Sequence, residues 1–298
     1  MFSFSFLVST AIRAQVIITV AGTGIAGYYG DGGPATTARI SNPGAVYKDL
    51  KGNLYIADDF NFRIRKVARD GIISTICGTG RSGYSGDGLP AIYAEIWGQA
   101  NFIMDTLGNF YFSDYGNNCI RRIDTSGIIT TIAGSGVAGF RGDGGLATDA
   151  QLKYPTGIAF DKKGNLYIGD FLNYRIRKID TGGIITTIAG TGVAGFSPDG
   201  SKADTSKLYS FSNMKMDKLG NLYFVDNNRI RLLDTAGILT TVAGNGIRGY
   251  SGDGTLATEA EITAKEIALD TAGNLFFSDS TTIRKVTGVL SLLLLEAL

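Results

Sequence analysis

The sequence predicts an all-β protein, a β-propeller of four-stranded antiparallel blades, on three observations. A short phrase of the type TVAG, TICG or TIAG recurs five times, its glycine falling at 22, 78, 134, 190 and 244. The intervals are 56, 56, 56 and 54 residues, and a fixed period of this length marks a repeat architecture. Each period carries strand-like runs separated by glycine turns, and glycine stands at 42 of 298 residues against 5 prolines.

Each element follows from local chemistry. In the third period, residues 156–160 (TGIAF) form a short apolar run and 165–170 (NLYIGD) alternate with β-forming side chains. Residues 174–180 (YRIRKID) alternate strictly, and 183–190 (GIITTIAG) are rich in β-branched residues. DKKGN joins the first two runs and returns as DLKGN, DTLGN, DKLGN and DTAGN, with glycine where a hairpin needs positive φ. DTGG, DTSG and DTAG join the last two. The chain opens on a lone fourth strand, 16–22, which would complete the last blade and remove its open edge. Residues 289–298 begin where another fourth strand is due and read as a strand or tail. Five repeats are expected to close a five-bladed ring, an incomplete six-bladed ring being the alternative.

The longest connection of each period carries an aromatic residue followed by an aspartate: GYYGDGG, GYSGDGL, GFRGDGG, GFSPDGS and GYSGDGT. Alanines follow at helical spacing, with Pro34 and Pro90 placed as at a first helical position. This predicts one helical turn pressed on the blade. Asp31, Asp87, Asp143, Asp199 and Asp253 are then expected as structural loop residues capping that turn, with Tyr28, Tyr84, Phe140, Phe196 and Tyr250 packed over the connection. A ring of carboxylates for calcium is the functional alternative, but one aspartate per loop is sparse for an ion that takes six to eight oxygens. No cofactor is expected beyond that calcium. The third strands align Arg65, Arg121, Arg177, Arg231 and Arg284, and Asp58, Asp114, Asp170, Asp226 and Asp279 end the strands before them. An ion pair or hydrogen bond across each blade follows.

Composition narrows the function. There is no histidine, which removes histidine-dependent triads and histidine zinc sites. The net charge of +1 gives no global reason to bind nucleic acid. Cys77 and Cys119 occupy non-equivalent repeat positions and read as buried free thiols, with a disulfide open on count. Residues 1–14 read as a signal peptide lacking its positive n-region, which places the protein outside the cytoplasm, secreted or periplasmic. No apolar run is long enough to span a membrane.

The runs GNLYIADDFNFRIRKV and GNLYIGDFLNYRIRKID resemble NHL repeats, and the resemblance extends over residues 17–286. Those repeats are usually shorter, the excess here lying in the GDG connection. The resemblance implies a rigid propeller, often six-bladed, that binds protein, RNA or other ligands on its faces. Of the enzymes built on such blades, a peptide-processing lyase requires histidine-bound metal. A calcium-dependent lactonase type requires a Glu/Asn/Asp cluster in the channel, and no acidic cluster here breaks the repeat symmetry. The expected function is a monomeric, non-enzymatic scaffold for an unknown protein or glycan, the alternatives being a metal-dependent hydrolase and a nucleic-acid binder. The long connections and the loops between second and third strands crown one face. Only there do the blades differ strongly, through Tyr93 and Trp97 in the second crown and Lys202 and Lys207 in the fourth. These four are the candidate binding residues.

Overall fold

The computed structural model describes residues 17–287, apart from 210, 212 and the side chain of Ala100. The segments read as a signal peptide, 1–14, and as a C-terminal strand or tail, 289–298, lie outside the described residues. The protein is a five-bladed β-propeller. In blade 1 the strands are Pro43–Lys48, Leu54–Asp58, Arg63–Val67 and the outer strand Ile73–Cys77, paired antiparallel in that order. Blades 2 and 3 repeat this plan, ending in the outer strands Ile129–Ala133 and Ile185–Ala189. Blade 4 ends in Ile238–Ala243, and blade 5 has three described strands, Ala264–Leu269, Leu275–Asp279 and Thr282–Val286. Cys77 and Cys119 are buried free thiols.

The first hairpin of every blade is held by its aspartate. Asp49 accepts from the backbone N–H of Asn53 at 2.8 Å and from its side-chain amide at 2.7 Å. The same pair recurs at Asp105, Asp161, Asp217 and Asp270. Burial opposes ionisation of Asp105 and Asp161, but the hydrogen bonds from Asn109 and Asn165 outweigh it and hold both carboxyls below their usual range.

The GDG connections do more than crown a face. Each starts beside the loop between second and third strands, where the Asn61 amide donates to Gly27 O at 2.7 Å. It then runs as a strap along the outer edge of the blade that follows it. Gly32 N donates to Ile73 O, Ile73 N to Gly33 O and Ala35 N to Gly71 O. In blade 4 this contact is regular enough to form a short strand, Ser201–Lys202, on the outer strand. The strap satisfies an edge that would otherwise be open to other chains. The helical turn after GDG is present in all five straps as a single 3-10 turn, such as Ala35–Thr37 and Ala91–Tyr93. Ala91 and Ala94 are buried against blades 1 and 2 together, beside Ile64, Phe102 and Phe112. The next three seams are built alike.

The ends of the blade series differ. Ile64, Ile120, Ile176 and Ile230 are fully buried in the seams, whereas the equivalent Ile283 of blade 5 is 73% exposed. On the other side, Val46 of blade 1 is 62% exposed where Phe102, Ile158, Met214 and Ile267 are buried. Residues 17–20, expected to complete the last blade as a strand, form none here. Ala21 packs instead beside Ala35 and Ala38 of the first strap, and Gly22 N donates to Ala35 O at 2.9 Å. Gly78 N and Gly134 N make the same bond, to Ala91 O and Ala147 O, at the ends of the outer strands of blades 1 and 2.

In four of the five straps the residue before the aspartate is a glycine pressed on the strap's returning arm; the fourth has Pro198 there. A Cβ on Gly142 would lie 2.7 Å from the Ala150 Cα, whereas one on Gly144 would meet nothing within 4 Å. Their φ values, +92° and +82°, carry similar strain for an L side chain. Gly144→Ala should therefore cost about 1 kcal/mol. Gly142→Ala adds overpacking and should cost at least about 2 kcal/mol. Urea denaturation of the two variants measures the difference, and equal losses would contradict the close approach.

Candidate functional site

Blades 1, 2, 3 and 5 each clamp an arginine between two aspartates, and in blade 4 the buried Arg231 meets the strap aspartate. The Arg65 guanidinium is fully buried, 2.6 Å from Asp31 of the strap and 3.3 Å from Asp58 at the end of the second strand. Arg121 and Arg177 repeat this with Asp87 and Asp114 and with Asp143 and Asp170. Arg231 meets Asp199 at 3.4 Å, and Arg284 meets Asp253 and Asp279. Asp58 also accepts from Ser41 N and the Asn61 amide, which fixes where the strap re-enters the blade. The strap aromatic lies beside the clamp: Arg65 is 5.0 Å from the Tyr28 ring centroid, and Arg63 stacks on the same ring at 3.7 Å.

The strap aspartates thus pair with the blade arginines and do not cap the helical turns. The residues at the cap positions are Pro34, Pro90, Leu146, Lys202 and Leu256, none with a side-chain capping bond. Asp31 lies four residues before its 3-10 turn and faces the blade instead. It accepts from the Thr75 hydroxyl at 2.6 Å and the Thr75 N–H at 3.1 Å, both on the outer strand. Asp199 does the same with Thr241. Burial opposes ionisation of Asp31, but the hydrogen bonds from Thr75 and Tyr28 and the charge of Arg65 outweigh it and hold its carboxyl low. A calcium ion there would have to displace these bonds beside a guanidinium. Among the described residues no three His, Cys, Asp or Glu side chains converge as a metal site.

The four candidate binding residues do not form one site. Tyr93 closes the 3-10 turn of the second strap and is exposed on the outer edge of blade 2. Lys202 lies on the outer edge of blade 4, paired with Ile238. Lys207 covers Gly195 on the returning arm of the fourth strap. Trp97 alone stands on the crowned face near the first strand of its blade, 47% exposed. Its backbone N–H donates to Asp114 at 2.8 Å, and its indole lies against the backbone of Gly116 in the loop between second and third strands.

Beside Trp97 the structure places Tyr115 and Tyr154, which sequence reading passed over, and a matching aromatic stands in blade 4. Tyr115 packs against Gly98, next to Trp97, and its ring lies 5.9 Å from that of Tyr154 in the following blade. Tyr209 stands at the repeat position of Trp97 in blade 4, held by the same bond to the strand-ending aspartate and half exposed. Aligning position 97 through the repeats would have found Tyr209. Tyr115 and Tyr154 gave no signal, because their approach depends on left-handed backbone at Asn118 and Tyr154. On the same loops Asp59 accepts from Gln99 N at 3.4 Å. Burial foremost, and the adjacent charge of Asp58, push its carboxyl up to about 6.

The opposite face is less plain than its turns suggest. Between blades 3 and 4 it holds a groove of about 490 Å³ whose lining includes Lys162, Lys163, Lys178 and Lys218.

Two outcomes follow. Because Asp143 balances the Arg177 charge and does not cap, Asp143→Asn should lose nearly as much stability as Asp143→Ala, about 1.5–3 kcal/mol by urea titration. A cap would tolerate Asn. Asp59 has a native pKa above its unfolded value, so the native form binds the proton more tightly. Its ionisation costs stability as pH rises from about 4 through 6, and the protein gains stability on acidification across that window. In Asp59→Asn, thermal midpoints between pH 4 and 7 should lose that increment. An unchanged profile would place Asp59 in solvent.

Comparison with known proteins agrees with this architecture. Residues 137–198 match the model of the teneurin NHL domain. Teneurin-1 of Caenorhabditis elegans is 29% identical over 71% of this chain, and Teneurin-m of Drosophila melanogaster is 28% identical over 85%. The chain spans only 8–10% of the length of these two relatives. Among solved structures, an auxiliary nutrient binding protein of Bacteroides ovatus superposes with a TM-score of 0.60 at 18% identity, over 84% of this chain and 60% of that one. Its five concordant blades and these relatives support an NHL-repeat β-propeller family for the chain.

Proposed function

We propose that the protein is a non-enzymatic binding scaffold, and that it engages an extracellular protein or glycan through the crowned face of blades 2–4. The observation that carries this reading is the aromatic group of Trp97, Tyr115 and Tyr154, with Tyr209 at the matching position of blade 4. The clamps and straps repeat in every blade and serve the fold, whereas these side chains break the repeat. Blades 1 and 5 place Ser41 and Thr263 where blades 2 and 4 place Trp97 and Tyr209. Rings half exposed on a rigid frame offer apolar area at little entropic cost, which is why Trp and Tyr dominate many interfaces. An extracellular setting accords with the nutrient-binding neighbour and with a leader at residues 1–14. No step of the reading requires a metal.

Trp97 is the only tryptophan and reports its own site. Its fluorescence, titrated with glycans selected on an array and with proteins captured from culture medium, should shift on binding. Trp97→Ala and Tyr154→Ala should weaken capture at least fivefold with the thermal midpoint retained. If Lys162→Glu with Lys163→Glu abolishes capture while Trp97→Ala leaves it intact, the ligand belongs to the lysine groove on the opposite face.

A further inference from the structure

On the face of short turns, aromatic rings close the first two seams. Tyr55 of blade 1 stacks on Phe110 of blade 2 with centroids 4.8 Å apart, and Tyr111 of blade 2 meets Phe160 of blade 3 at 5.0 Å. Tyr167 is the matching tyrosine of blade 3, but its seam lacks the partner. In blade 4 Leu222 stands where blade 2 has Phe110, and Met216 where blade 3 has Phe160. Among the described residues no ring packs on Tyr167. The smaller side chains leave the groove of about 490 Å³ between blades 3 and 4. Its apolar wall is Tyr167 with Ile188, Leu222 and Leu233.

The rim of this groove is cationic. Lys162 and Lys163 lie on the first hairpin of blade 3 and Lys218 on that of blade 4, all three exposed. Lys178 is half-buried, its ammonium 5.9 Å from the Tyr167 ring centroid. The corresponding hairpin pairs in the other blades are Leu50-Lys51, Thr106-Leu107 and Thr271-Ala272, so no other two neighbouring hairpins bring three lysines together. Two aspartates share the lining, and both face their own turns. Asp161 accepts from the N–H groups of Lys163 and Asn165, the Asn165 amide and the Tyr167 hydroxyl. Asp234 accepts from Ala236 N and Ile238 N. Among the described residues no ion pair involves any of the four lysines. Charges of one sign beside a low-dielectric wall focus their field into the cleft.

We propose that the groove between blades 3 and 4 is a second binding site, for a small organic anion: a carboxylate or sulfonate carried on an aromatic or aliphatic body. The body lies on Tyr167, Ile188, Leu222 and Leu233, and the acidic group meets the lysine rim. Lysines without carboxylate partners repel a metal cation and give an uncharged sugar no advantage. The groove has the size of a small-ligand pocket. It lies on the face opposite Trp97, so the site stands or falls independently of binding at the crowned face.

The test titrates the full chain, by calorimetry, with naphthalene-1-sulfonate and with its uncharged analogue naphthalene-1-methanol. The sulfonate should bind one per chain and at least tenfold more tightly than the alcohol. Lys162→Gln with Lys163→Gln should weaken it at least fivefold. Lys51→Gln, at the repeat position of Lys163 in blade 1, should leave it unchanged. Leu222→Phe restores the ring that blade 2 places against Tyr55 and should weaken binding at least tenfold by filling the groove. Thermal midpoints check that each variant is folded. Equal affinity for sulfonate and alcohol would overturn the proposal, because the lysines would then contribute nothing. An equal loss in Lys51→Gln would overturn it too, since the whole face and not the groove would attract the anion. So would the absence of saturable binding at millimolar probe.

Discussion

The buried guanidinium is the constraint on which the rest of this propeller depends. Removing an arginine from water costs several kcal/mol, and the cost is met only if opposite charge and good hydrogen-bond geometry surround it. Each blade supplies one carboxylate from its own second strand and one from the strap. The strap therefore has no free choice of path. Its aspartate must reach the arginine, and that places the two glycines beside the outer strand and the alanines in the seam. Fold and connection are one problem with one charge at its centre.

This arrangement sorts the side chains by role. Those that meet the clamp recur in every blade and leave little to distinguish one blade from another. What varies lies where the clamp makes no demand, at the start of the first strand and in the loop after the second. Trp97, Tyr115, Tyr154 and Tyr209 occupy those positions. The binding reading rests on that division between repeated and unrepeated chemistry.

The strands and hairpins were legible because their signals are local. Alternation needs only neighbours, and Asp49, Gly52 and Asn53 close their turn within five residues. The strap's course was not legible. Asp31 stands in front of a helical turn, and local logic makes it a cap. Its actual partner, Arg65, lies 34 residues on, and only the folded blade brings the two together. Trp97 was visible as a singular residue, but its company was not, since Tyr154 comes from the next blade. Tyr93, Lys202 and Lys207 were grouped with Trp97 because all sit on long connections. Those connections leave the crowned face and descend the blade's flank, which separates the four.

The strap's aspartate pairs with the arginine of the blade that follows it in sequence, not with that of the one before. Residues 78–133 accordingly contain a whole unit: strap, four strands, and both carboxylates of the Arg121 clamp. A gene duplication cut at those bounds copies a module with its charges already balanced. It adds a blade without orphaning any ion, whereas a cut between residues 87 and 121 would split a clamp between two modules. The near-constant 56-residue spacing is what such inheritance by complete units leaves behind.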